Sequence, residues 1–313
     1  MTWLIGVDEA GYGPNLGPLA VAATAWRVPD GVADLYELLA EVVCQKPNQT
    51  RIAIADSKLL YKPGGGLGTL ERALFAALNP TPTSYAVLLA QLAADPAGRR
   101  APLPWHDGFD PALPCHLNPA DQAAAEVQWS AGCGAAGVPS PNVRARLVFP
   151  EEFNELTEEH GTKGAALSHV TIGMLAGLLA DLAPEGPVEC VLDKHGGRNR
   201  YAALLQHHFP DHLIETHHES RPESRYACST DAGRWTFAFR SKGESFLPAA
   251  LASMTAKYLR ELSMQALNDY WARHVEDLKP TAGYPVDAKR YRADIEHARV
   301  KQQVSERVLW RNR

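Results

Sequence analysis

Residues 5 to 18 read Ile-Gly-Val-Asp-Glu-Ala-Gly-Tyr-Gly-Pro-Asn-Leu-Gly-Pro, and this stretch constrains the chain more than any other. The apolar run from Trp3 to Val7 predicts a short buried strand. It ends in two adjacent acids, Asp8 and Glu9, and then a glycine-rich turn. Neighbouring strand residues point to opposite faces. Both acids therefore serve one site only at a strand end, where the chain begins to turn. Gly11 and Gly13 permit that turn and let backbone N–H groups approach a ligand closely. Acids at a strand end suggest a metal; a bare glycine turn beside them suggests a phosphate. A charged turn after an edge strand is the plain alternative, so support has to come from elsewhere in the chain.

Asp193 stands like Asp8, as the first polar residue after an apolar run, in Val191-Leu192-Asp193-Lys194-His195-Gly196-Gly197. In open α/β sheets ligands gather outside strand ends, so this acid and the first two can share a site; a helix N-cap is the plain reading. Glu261 lies in a long helical stretch, Phe246 to Arg273. Helical spacing puts it on one face with Met254, Lys257 and Met264, and the plain reading there is a Lys257–Glu261 pair. Further strands are predicted at 19–27, 143–149, 188–192, 212–217 and 235–240, and helices at 34–44, 69–78, 150–156 and 163–182. Strands and helices alternate after about residue 140, and the opening strand pair can be a hairpin. The expected fold is therefore α/β with a mixed sheet. Residues 80 to 141, rich in Pro, Gly and Ala, read as an insertion or lid-like subdomain carrying a helix near 119–129.

The 313 residues suffice for one large domain or two modest ones. With 45% apolar and 21% charged residues the chain has globular composition. No apolar run reaches the roughly 18 residues of a membrane span, and no basic stretch followed by an apolar core opens the chain. The expectation is a cytoplasmic protein without membrane association. The five cysteines are scattered and form no Cys-x-x-Cys pair, which argues against a zinc cluster or disulfide framework. The pairs His207-His208 and His217-His218 invite a zinc reading, but adjacent histidines diverge on either element and no cysteine supports them. A net charge of −5 argues against non-specific coating of nucleic acid. From Lys289 to Arg313, however, eight basic residues oppose three acids, a local balance of +5.

The pattern Gly-x-Asp-Glu-Ala-Gly-x-Gly-Pro-x-x-Gly-Pro resembles the signature of the type 2 ribonucleases H, the ribonuclease HII/HIII group. Asp56-Ser57-Lys58 is similar to that family's second motif, and Val191-Leu192-Asp193 to its third strand-end acid. Lys242-Gly243-Glu244-Ser245 followed by Ala252-Ser253-x-x-Ala256-Lys257-Tyr258 resembles its late helix, and Gly283-Tyr284-Pro285 its Gly-Tyr element. The order and approximate spacing match over most of the chain outside about 80 to 141. The resemblance implies a ribonuclease H-like mixed sheet flanked by helices. One catalytic domain would span 1–313, with the insertion at about 80–141 and a basic helical C-terminal extension at about 274–313.

The resemblance also implies that Asp8, Glu9, Asp193 and Glu261 bind two divalent ions, Mg²⁺ or Mn²⁺, with Asp8 bridging. Clustered carboxylates raise one another's pKa, and hard cations with oxygen preference offset that repulsion. Two such ions about 4 Å apart activate a water and stabilise a leaving 3′ oxygen. The implied activity is endonucleolytic cleavage of the RNA strand of RNA–DNA hybrids, or of ribonucleotides embedded in DNA, by a monomer. Gly11, Tyr12, Gly13, Ser57, Lys58, Lys194 and Tyr284 are the implied substrate contacts. The family usually has Arg or Lys where this chain has Tyr12, so one charged phosphate contact is missing. The alternatives are a catalytically weakened nucleic-acid-binding protein on the same fold and a related nuclease for structured DNA.

Overall fold

The computed structural model describes every residue except Pro63, Lys242 and Arg313, and the backbone but not the side chain of Glu244. Its centre is a seven-stranded sheet built from β1 (Thr2–Ala10), β2 (Leu19–Val28), β5 (Asn142–Val148), β6 (Val188–Asp193), β7 (Glu215–Glu219), β8 (Glu223–Thr230) and β9 (Gly233–Arg240). A separate ribbon pairs β3 (Val43–Cys44) with β4 (Ile52–Ala53). The order across the sheet is β5-β2-β1-β6-β9-β8-β7. β2 runs antiparallel to both β5 and β1, β6 and β9 run parallel to β1, and β8 and β7 close the far edge antiparallel. This is a mixed sheet, as expected from the sequence.

The helices are α1 (Leu35–Leu38), α2 (Ser57–Leu60), α3 (Gly68–Ala77), α4 (Tyr85–Gln91), α5 (Pro119–Ala135), α6 (Pro150–His160), α7 (Lys163–Leu182), α8 (Ala202–His208), α9 (Leu247–Ala272), α10 (Pro285–Lys301) and α11 (Glu306–Leu309). They cover both faces of the sheet, because alternate strand residues feed two cores. Leu4, Ala20, Ala22 and Trp26 pack with α3, α4, α5, α9 and α10. Ile5, Val7, Val21 and Ala23 pack with α7 and α8. Gly6 lets α9 lie directly on β1: a Cβ there would stand 1.9 Å from the Ala249 nitrogen. Among the described residues α7 alone is long and apolar enough to cross a membrane. Here Leu167, Ile172, Leu175 and Leu179 bury its apolar side in the second core.

Several expectations need correction. The stretch 80–141, expected as an insertion or lid-like subdomain, sends side chains into the main core. Tyr85, Leu88, Leu92, Trp105, Trp129 and Cys133 belong to the same core as α9, and Trp129 packs on Trp26 with ring centroids 5.7 Å apart. The predicted helix at 34–44 is a single turn followed by β3, since the last part of that segment pairs with β4 rather than continuing the helix. β8 was absent from the predicted strands, and β7 begins later than predicted. Four arginines of the basic tail are paired with acids. Arg290 pairs with Asp287 and Asp294, Arg299 with Glu296, Arg292 with Glu306, and Arg307 reaches toward Glu151 and Glu158.

Candidate active site

β1 extends through both acids to Ala10, three residues beyond the predicted strand. Its pairing with β2 continues to that end, but pairing with β6 stops at Val7–Leu192. Past that point β1 and β6 no longer share hydrogen bonds, and Asp8, Glu9 and Asp193 meet at the opened end. All three are half-buried. Burial raises the Asp8 carboxyl to about 7, with Asp193 adding repulsion. Glu9 is raised to about 8 by burial and then by the charges of Asp8 and Asp193. The Lys58 ammonium lies close enough to oppose both shifts.

The second motif reaches this cluster through a serine. Ser253 on α9 hydrogen-bonds Asp8. Its Oγ also lies 3.1 Å from Ser57 Oγ and 3.5 Å from Asp56 Oδ1. Asp56 caps α2 by accepting from the Lys58 N–H at 3.0 Å. The Asp56-Ser57-Lys58 step thus seats on α9 and turns the Lys58 side chain outward beside the acids. Ser57 is buried in that joint, so it acts as a fastening and not as the substrate contact expected. Ser253 was quoted only as part of a motif; its role rests on a packing contact that spacing does not reveal.

Glu261 is not brought to the other three acids. It sits eight residues beyond Ser253 on α9, about 12 Å further along the axis at 1.5 Å per residue. There it accepts from Tyr61 Oη at 2.8 Å and Lys257 Nζ at 2.5 Å. It lines a separate cleft of about 720 Å³ with Tyr61, His116, Met264 and Thr281. The Lys257–Glu261 pair is the plain reading of that helix face. The backbone beside Asp193 belongs instead to the 3-10 turn Gly243–Ser245, where a Cβ on Gly243 would lie 3.6 Å from the Asp193 nitrogen. Glu244 is on this turn.

The glycine turn is braced from below. Gly11 has φ of +86°, and a Cβ there would strike the Arg260 side chain at 2.4 Å. Arg260 is buried and donates to the Ala282 carbonyl at 2.8 Å. Arg311, also buried, donates to the Gly11 carbonyl at 2.6 Å and lies over the Phe153 ring. Burial and the neighbouring Arg260 charge press its pKa down to about 9. Gly283 accepts from the Asn15 N–H at 2.8 Å. Tyr284 thereby stands beside Gly13, with a ring carbon 4.0 Å from where a Cβ would be, and over half of its surface is exposed. Tyr12 turns its hydroxyl toward Gly164 and Gly196. Lys163 Nζ lies 5.7 Å from the centroid of its ring, so a cation from α7 stands near the position where the motif lacks one. Burial, then the Glu9 charge, raises the Tyr12 phenol.

Lys194 is occupied in holding its own loop. Its Nζ donates to Ser220 O at 2.8 Å, Ser224 Oγ at 2.9 Å and Asn199 Oδ1 at 2.9 Å, so it is not the substrate contact expected. His195 is buried, with Nδ1 3.0 Å from Ser168 Oγ, and burial followed by the Arg198 charge drives its pKa down to about 3. It is a neutral structural histidine at the end of β6. Trp105 is buried edge-on against Tyr270 and offers no face for stacking.

No protein-family model and no curated protein matches the chain. Solved structures do. A ribonuclease HII of Archaeoglobus fulgidus, determined in complex with PCNA, aligns at TM-score 0.44 and 16% identity over 99% of this chain and 94% of its own. The ribonuclease H2 of Pyrococcus horikoshii OT3 aligns at 0.47 and 15%, over 98% and 92%. Bst-RNase HIII in complex with Mn²⁺ aligns at 0.44 and 15%, over 99% and 66%.

Proposed function

We propose that this protein is a metal-dependent endoribonuclease that cleaves the RNA strand of RNA–DNA hybrids, or ribonucleotides embedded in DNA. One observation carries the reading. Asp8, Glu9 and Asp193 converge at an opened strand end, flanked by Lys58 and by the Gly11–Gly13 turn with Tyr284 beside it. Binding of nucleic acid alone gains nothing from three half-buried carboxylates that repel one another.

That donor set fits divalent cations. The carboxyls are held well above their usual range, which a hard cation with oxygen preference relieves. Asp8, Glu9 and Asp193 would hold Mg²⁺ or Mn²⁺, and Glu244, by the placement of its backbone, is the candidate fourth acid in place of Glu261. Ions held there would supply an activated water and charge neutralisation at the leaving 3′ oxygen. The chain's own groups position the strand. Backbone N–H groups at Gly11 and Gly13 and the ammonium groups of Lys58 and Lys163 bind phosphate, and the exposed Tyr284 phenol faces the ribose. Ser253 fixes the Asp8 carboxylate against α9.

A hybrid-binding protein without turnover is the second reading, favoured by Tyr12 in the place of a basic residue. A cleavage panel of hybrid, single ribonucleotide in DNA, duplex DNA and four-way junction, run with Mg²⁺ and with Mn²⁺, separates the readings. Metal-dependent cuts leaving 3′-OH and 5′-phosphate are expected on the first two substrates. Asp8→Asn and Glu244→Gln should lower the rate at least about a hundredfold, the scale for losing one transition-state stabiliser, while Glu261→Gln should retain most activity. Tight hybrid binding with no cleavage under either metal would overturn the enzyme reading.

A further inference from the structure

A groove of about 660 Å³ lies away from the acids, between α6, α7, α8 and β5. Four histidines gather along it: His160 at the end of α6, His169 on α7, and His207 and His208 at the end of α8. The sequence reading set adjacent histidines aside because their side chains diverge. They do diverge here, with His207 and His208 rings at 88° to each other. Both nevertheless face one third ring, each with its centroid 5.3 Å from that of His169.

The geometry points to a transition-metal site, of the Zn²⁺ class, formed by His169, His207 and His208. One ligand nitrogen from each of the three lies within 4.8 Å of the others. His169 Nδ1 and His208 Nε2 are already 3.2 Å apart. Two nitrogens about 2.0–2.1 Å from one tetrahedral ion stand about 3.3 Å apart, so this pair needs almost no movement. The third ring, exposed at the end of its helix, closes the set by a side-chain rotation. His160 stacks face to face on His169 at 3.9 Å and 11°, which fixes the plane of that ring without entering the ligand set. Glu159, whose charge acts on His169, lines the same groove.

The chemistry selects the ion. Imidazole nitrogens prefer Zn²⁺ over Mg²⁺ or Mn²⁺, whereas the carboxylates at β1 and β6 prefer the hard ions. One chain thus carries two sites of opposite preference. Burial, then the neighbouring histidine charges, also lowers the His169 and His208 pKa values, which favours the neutral form that ligates a metal. A bound ion would clamp α7 to α8. Ser168, next to His169, hydrogen-bonds His195 two residues beyond Asp193, so the clamp lies one residue from the support of the β6 end. The inference stands whether or not the protein is a nuclease.

Equilibrium dialysis of the untagged full chain with Zn²⁺, in excess Mg²⁺ to occupy the carboxylates, tests it. One Zn²⁺ per chain is expected, with Kd at or below about 1 μM. His169→Ala with His208→Ala should weaken it at least about a hundredfold, and His217→Ala with His218→Ala should leave it unchanged. X-ray absorption on the zinc-loaded wild-type chain gives an answer that needs no variant: three imidazole nitrogens around the ion are expected. Absence of stoichiometric binding, undiminished binding in the His169/His208 variant, or an all-oxygen shell would overturn the site.

Discussion

At the residue scale the candidate active site is defined by acids held away from their preferred charge. Unfolded carboxyls titrate near about 4, whereas in the fold Asp8 titrates at about 7 and Glu9 at about 8. Between those limits the native state binds more protons than the unfolded chain. Without metal, stability is therefore full below about pH 4 as far as these two groups are concerned, and is lost as pH rises through 7 and 8. Thermal melts of the chelator-treated protein from pH 5 to 9 should show Tm falling toward the alkaline side. Mg²⁺ or Mn²⁺ should restore most at high pH, where protons no longer compete for the oxygens, and Asp8→Asn should flatten the profile. A Tm that rises with pH in the absence of metal would contradict the arrangement.

At the element scale the acids depend on α9, which carries Ser253 to Asp8 and is tied to distant segments. Glu71 of α3 shows how. Fully buried, its carboxylate accepts from the backbone N–H groups of Cys115, His116 and Leu117 at 2.6, 2.8 and 2.8 Å, and from the Tyr258 hydroxyl of α9 at 2.8 Å. One buried carboxylate holds a surface loop from beneath and locks it to the long helix. Glu71→Ala would remove four hydrogen bonds and strand the buried Tyr258 hydroxyl. Urea unfolding should show a loss of more than about 2 kcal/mol, given about 1–3 kcal/mol for each unsatisfied buried group that water cannot reach. The stretch 80–141 resisted a sequence reading for the same reason. Its Pro- and Gly-rich turns look like surface loop, but they carry Trp105, Trp129 and Leu88 into the common core. Local composition records the turns and not the destination of the side chains.

At the scale of the whole molecule the chain returns to its own beginning. Arg311 donates to Gly11, 300 positions away, while Trp310 forms an isolated bridge with Leu16. The basic charge that suggested a nucleic-acid tail is spent in part on this closure and on ion pairs with neighbouring acids. Arg311→Met should leave the helix and sheet content by circular dichroism intact while releasing the glycine turn. A rise in KM for hybrid of at least about tenfold is expected, against a smaller change in kcat, since a loosened turn loses strand binding before it loses the acids. An unchanged KM would mean the turn holds its shape without this anchor.

The sequence by itself determined the strand that ends in Asp8 and Glu9, the second strand-end acid at Asp193, the glycine turn and the mixed character of the sheet. These are local: a period of two, an apolar run and a glycine are read within a few residues. Tertiary structure alone decided which further residues join them. A rise of 1.5 Å per residue carries Glu261 about 12 Å beyond Ser253, so sharing a helix with the Asp8 contact does not bring it to the other three acids. The same packing turns Lys194 into a loop tie and Ser57 into a buried fastening, and it swings Lys163 over Tyr12. It also gathers three histidines from two helices into one groove. Side chains distant in sequence meet only because two cores on opposite faces of one sheet fix where each helix must lie.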